Sequence, residues 1–264
     1  MLRRGTADDF DAVLALADDP AILRSRWKLP SFDPARHLWL ADGAFGALFA
    51  PDVAAVRGDA ASIGPLLAAV ERAARDEGLP QVSAVISARD EAACRAYEAA
   101  GFSIATEVLR MEVTLTAPPQ DSPLPIRTYR DDDARAVQTL LDGAYLGWDD
   151  AYVRITHDDW LSFMTDHESF DPACWFVAEE NGELQGVCLC WREGWIKDLA
   201  VAENARGRGL GEALLRHAFA ALYARGVRRI GLKVDAKNPT SAIRLYERLG
   251  MQVVDRQRFY LKQL

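Results

Sequence analysis

The chain repeats itself once, and that repeat limits what it can fold into. GLPQVSAVIS followed by ARDEAACRAYEAAGF returns as GVRRIGLKVD followed by AKNPTSAIRLYERLGM. At an offset of 149, Ala93, Arg95, Tyr97, Glu98 and Gly101 meet Ala242, Arg244, Tyr246, Glu247 and Gly250. At 148, Gly78, Val82, Ala84 and Ile86 meet Gly226, Ile230, Leu232 and Val234, so one inserted residue between strand and helix reconciles the two. Two copies do not build a solenoid; they predict a pair of similar domains. The length of 264 residues fits two domains at a prior of about 150 residues each.

The division falls at Thr116–Pro125, TAPPQDSPLP, where four of ten residues are proline and neither a helix nor a central strand can form. The reading is one domain over 1–117, a linker over 118–125 and a second domain over 126–264. Half of the residues are hydrophobic and 27% are charged, enough to bury a core and too apolar for a disordered chain. No uncharged stretch reaches the roughly 18 residues of a membrane helix, and MLRRGTADDF lacks the apolar run of a secretory signal. The formal charge is −8, and both domains are acidic, which disfavours nucleic acid as a partner. Cys94, Cys174, Cys188 and Cys190 are too few for a disulfide framework, and His37, His157, His167 and His217 do not cluster with them. Buried thiols, no metal and a cytoplasmic location are therefore expected, with the chain a monomer or homodimer.

The second half reads as an acidic-capped helix from about Asp132, a helix over 157–164, a hairpin turning at Asn181-Gly182 and a strand over 195–201. A helix over 210–224, a strand over 230–234 and a helix over 241–249 follow, then final strands. That order predicts an α/β (α+β) fold with helices on the faces of a mixed sheet.

Chemistry concentrates between the strand at 195–201 and the helix at 210–224. Gly207, Gly209 and Gly211 interrupt the turn, and Arg206 and Arg208 add positive charge. Glycines let backbone amides approach a ligand, and a helix N-terminus supplies unpaired N–H groups, so the segment suits a phosphate or diphosphate. A plain glycine-rich turn accounts for the same residues without a ligand. The Rossmann spacing G-x-G-x-x-G is not met, nor is the P-loop pattern.

Arg206-x-x-Gly209-x-Gly211 resembles the [QR]-x-x-G-x-[GA] motif of the GNAT superfamily of N-acetyltransferases. Asn238 followed by Ala242-Ile-Arg-Leu-Tyr246-Glu-Arg-Leu-Gly-Met251 is similar to the superfamily's second signature. The resemblance covers 125–264 well and the first half weakly, through Tyr97 and Gly101-Phe102. Two units in one chain resemble the tandem branch that includes mycothiol synthase. The resemblance implies two GNAT-like folds, each a mostly antiparallel mixed sheet flanked by helices.

It also implies acetyl-coenzyme A as donor and the primary amine of a small molecule as acceptor, with direct transfer in a ternary complex. Amides of Arg206, Gly207, Arg208, Gly209, Leu210 and Gly211 would hold the diphosphate. Leu199, Ala200 and Val201 would pair with the pantetheine arm, and Asn238 would contact it. Tyr246 would protonate the leaving thiolate. Asn238-Pro239 also reads as a helix N-cap with proline at N1, Tyr246 as a core residue and Arg208 as a solvated charge.

The strand glutamate that the superfamily often uses as base is missing. Asp198 is the nearest carboxylate, either a base or a salt-bridged residue, and an acetyl-coenzyme A sensor with little turnover is the alternative function. Five of seven tryptophans fall within residues 148–195, making Tyr145 and Trp148 candidate acceptor contacts, although core packing explains such rings equally well. In the first half, Gly58-Asp-Ala-Ala-Ser-Ile63 stands where the glycine loop would be. Asp59 adds repulsion and Ile63 bulk, so the first domain is expected to lack a coenzyme site.

Overall fold

The computed structural model describes every residue except Met1, Asp18, Asp19, Pro51, Pro123, 147–153 and Pro239. The chain forms two compact units. The first comprises Met1–Val108, Val153–Glu168 and Arg256–Leu264; the second comprises Leu109–Tyr152 and Ser169–Asp255.

The first unit starts with β1 (Arg3–Arg4), α1 (Phe10–Leu16), α2 (Pro20–Trp27) and α3 (Pro34–His37). Its strands β2 (Leu38–Ala41), β3 (Ala44–Phe49) and β4 (Val53–Arg57) form an antiparallel meander. Helix α4 (Ala60–Asp76) then crosses to β5 (Gln81–Ser87), parallel to β4, before α5 (Glu91–Ala99) and β6 (Ser103–Thr114). Buried Ile63, Leu66, Leu67, Val70 and Ala74 recur at helical spacing along α4 and dock it on the sheet.

The second unit repeats this plan. It holds β7 (Ile126–Thr128), α6 (Ala134–Tyr145), the hairpin β8 (Trp175–Glu180) and β9 (Glu183–Trp191), β10 (Trp195–Val201), α8 (Leu210–Ala224), β11 (Arg229–Asp235) and α9 (Ala242–Arg248). Between α6 and β8 the chain forms α7 (His157–Thr165), which belongs to the first unit, and it ends in β12 (Gln252–Gln263). Asn181 and Gly182, at φ 55° and 82°, turn the hairpin with Glu180 opposite Glu183, as an Asn-Gly type I′ turn requires. Leu214, Leu215, Ala218, Phe219 and Leu222 form the buried stripe of α8.

The division at the proline-rich segment needs correction. Leu109 and Met111 of β6 are buried in the second unit's core, so 109–114 leave the first unit. Tyr260 of β12 is fully buried in the first unit's core, and residues 257–263 pair antiparallel with β5. Helix α7 also belongs to the first unit, where the Asp159 carboxylate accepts from the Ser31 amide at 3.2 Å. The proline-rich segment carries no helix or strand among its described residues, and Asp121 pairs there with His217 of α8 at 3.0 Å.

All four cysteines are buried free thiols. A hydrogen bond shared with Cys188 and burial push the Cys190 thiol well above its usual range. Among the described residues, no helix is long and apolar enough to cross a membrane, and no cluster of histidine, cysteine or carboxylate groups forms a metal site.

Candidate active site

The site begins with two parallel strands that part company. Strand β10 pairs with β9 along its length but meets β11 only at Trp195–Gly231 and Ile196–Leu232. Its register against β9 shifts between Ile196 and Asp198, a bulge of the kind that redirects a strand. Beyond it, the two strands border a cleft of about 700 Å³. Leu199, Ala200 and Val201 line one side, and Leu232, Lys233, Val234 and Asp235 line the other.

The glycine loop borders the same cleft through Arg206, Gly207, Gly209, Leu210 and Gly211. Gly207 and Gly209 sit at φ 75° and 80°, left-handed values that cost other residues about 1–2 kcal/mol. The first amide of α8 with a backbone acceptor is Ala213, bonded to the Gly209 carbonyl at 3.0 Å. Among the described residues, the amides from Gly207 to Glu212 have no backbone acceptor. This run of donors lies at the positive end of a 15-residue helix.

The Arg206 side chain donates to the Val201 carbonyl at 3.3 Å beside these amides. Arg208 is different: its guanidinium donates to both oxygens of Glu180 at 3.1 Å, and the residue does not line the cleft. Its side-chain charge is paired with Glu180 at the end of β8.

Asn238 lines the cleft, but it does not cap α9 as its sequence context predicted. Its Oδ1 accepts from the Thr240 amide at 2.9 Å, closing a local turn. The N-cap is Ser241, at φ 60°. Tyr246, on α9, lines the cleft while only 6% exposed. Burial, with smaller contributions from Cys188 and Asp198, pushes its phenol well above the usual tyrosine value. It therefore holds its proton at neutral pH, as a proton donor must.

Asp198 departs from the expectation of a base facing the cleft. It is 9% exposed and does not line the cleft. Its Oδ1 accepts from the Tyr145 hydroxyl at 3.0 Å, and its Oδ2 accepts from Lys197 Nζ at 3.2 Å. Tyr145, at the end of α6, does line the cleft. Trp148 lies outside the described residues.

Several lining residues were missed from sequence: Ile196, Lys197, Lys233, Asp235, Glu212 and Arg248. The signal was available for β11, because a strand paralleling β10 must supply the facing wall. For Glu212 and Arg248, joined at 3.6 Å, no local pattern marks the role.

In the first unit the corresponding helix end is closed by its own side chain. The Asp59 carboxylate caps α4, accepting from the Ser62 amide at 2.9 Å, and Ile63 turns into the core at 3% exposure.

A family model described as acetyltransferase (GNAT) family matches residues 134–251. An acetyltransferase of Pectobacterium atrosepticum is 34% identical over 135 residues, 49% of this chain and 89% of that protein. A mycothiol acetyltransferase of Mycolicibacterium gilvum is 33% identical over 205 residues, 71% of this chain and 66% of that protein, so the match leaves about a third of that relative's length unspanned. The crystal structure of a GCN5-related N-acetyltransferase from Sphaerobacter thermophilus superimposes with a TM-score of 0.73 at 28% identity. It covers 100% of this chain and 95% of its own.

Proposed function

Since this chain belongs to the acetyltransferase (GNAT) family and is an acyltransferase, we propose that it moves the acetyl group of acetyl-coenzyme A to the primary amine of a small molecule. Transfer is direct, in a ternary complex, at one site in the second unit. The observation that carries this reading is the run of amides from Gly207 to Glu212, without backbone acceptors, beside the gap between β10 and β11.

Those features fit the donor. A diphosphate needs several inward N–H groups and a favourable dipole, and the loop offers both. An extended amide-bearing arm needs strand backbone free to pair, and β10 separates from β11 beside Leu199–Val201. When bound, acetyl-coenzyme A supplies the thioester whose carbonyl carbon the amine attacks.

The chain's own residues do the rest. Amides of Gly207–Gly211 and the Arg206 guanidinium hold the diphosphate. Backbone groups of Leu199–Val201 align the arm and polarise the acetyl oxygen. Asn238 contacts the arm from the opposite side. Tyr246, kept protonated by burial, gives its proton to the departing sulfur. Asp198 stands behind the wall and does not meet an acceptor directly.

A panel of amines, assayed for release of free coenzyme A thiol, tests this reading and identifies the acceptor. Saturable turnover with at least one amine is expected. A folded protein that binds acetyl-coenzyme A yet acetylates none of them would contradict it in favour of a sensor.

A further inference from the structure

We infer that Tyr145 is a catalytic residue: its hydroxyl relays a proton from the acceptor's ammonium group to the buried Asp198 carboxylate. This rests on the acetyl-transfer reading and assigns the acceptor class, a basic alkylamine that arrives protonated. An ammonium nitrogen has no free electron pair, so something must remove a proton before it can attack a thioester. Among the described residues lining the cleft, Tyr145 is the one hydrogen-bonded through its side chain to Asp198 from another element, at 3.0 Å.

A tyrosine hydroxyl both donates and accepts. The ammonium N–H passes its proton to Tyr145 Oη as the original hydroxyl hydrogen moves to Asp198 Oδ1. The products are a neutral amine, an unchanged tyrosine and a protonated Asp198, which returns the proton to solvent after turnover. Lys197, 3.2 Å from Asp198 Oδ2, compensates the buried carboxylate beforehand. Asp198 also acts on the Tyr246 phenol, helping to keep that group protonated. The two tyrosines thus divide the work: Tyr145 takes one proton from the ammonium before attack, and Tyr246 gives one to the leaving sulfur and is restored by the second proton that the nitrogen sheds after attack.

The test uses the full chain, acetyl-coenzyme A and a panel of aliphatic primary amines, each paired with its weakly basic β,β-difluoro analogue. At about pH 8.5 the two fluorines leave the analogue mostly neutral, so it needs no deprotonation before attack, while the parent amine is still protonated. Tyr145→Phe, which removes one oxygen from a half-buried side chain, and Asp198→Asn are each expected to lower kcat/KM for the basic amine by about 10²–10³-fold. The double variant is expected to be no worse than either single one, because both cut the same path. With the fluorinated partner the loss should be under about tenfold, and acetyl-coenzyme A binding should stay unchanged. Equal losses on both amines, or a Tyr145→Phe enzyme as fast as the wild type, would overturn the relay while leaving the acetyl-transfer reading intact. Coenzyme binding without wild-type transfer to any amine would overturn that reading, and the relay with it.

Discussion

Tyr246, Gly209, Gly211 and Asp198 carry separable parts of the account. Tyr246→Phe should bind acetyl-coenzyme A normally and lose about 10²-fold in kcat, measured by steady-state kinetics and direct titration. Because burial raises its phenol, the proton is still in place where an ordinary tyrosine, near about 10, begins to lose it. Activity should therefore show no Tyr246-dependent fall on approach to that pH; such a fall, absent from Tyr246→Phe, would contradict the raised phenol while leaving Tyr246 as the donor. Gly209→Ala places a side chain at φ 80°, and should cost about 1 kcal/mol in a urea melt and weaken coenzyme binding. A Cβ on Gly211 meets Leu245 and Val201 at 3.5 and 3.6 Å, ordinary contact, so Gly211→Ala should leave stability nearly unchanged. Sequence treats these glycines alike, since spacing does not reveal which has positive φ. Asp198 was visible as the nearest carboxylate, but its withdrawal behind Tyr145 depends on α6 packing beside β10, which no local pattern encodes.

Among elements, α8 and α4 show how one helix plan supports different ends. Both have a buried apolar stripe that their sequences display openly. They differ at the N-terminus: α8 opens on glycines whose amides lack backbone acceptors, while the Asp59 side chain caps α4 at the Ser62 amide. The hairpin was equally legible because Asn-Gly has one favoured turn. The start of α9 was not, because Ser241 takes a left-handed conformation that its sequence does not announce. At the start of the second unit, Arg127 ties β7 to Asp133 at 2.7 Å and to Glu179 of β8 at 2.6 Å. Arg127, ahead of the smaller opposing effect of burial, holds the Asp133 carboxyl below its usual range. A lowered carboxyl stabilises the fold above its unfolded value, about 3.9, and that stability is lost as pH falls through the folded value. Arg127→Met should thus cost about 1–3 kcal/mol near pH 7 and progressively less in acid. Urea melts at several pH values check this, and a cost independent of pH would count against it.

Across the whole molecule, the repeat in the sequence matches two units of similar plan, but their boundaries do not follow the proline-rich segment. The alternating apolar residues of β6 and β12 suit either core, so periodicity alone does not say which unit each closes. Residues 257–263 pair with β5, so a chain ending at Asp255 should lose amide protection across Gln81–Ser87 in hydrogen exchange, with the α8 amides affected less. Equal loss in both would show that the units do not open separately. The central claim is that two similar folds carry one coenzyme site, and calorimetric titration of the full chain with acetyl-coenzyme A tests it most directly. The account predicts one equivalent bound per chain, abolished by Gly209→Ile and unchanged by Ile at the matching exposed Ala61; two equivalents, or binding that survives Gly209→Ile and fails with Ala61→Ile, would contradict it.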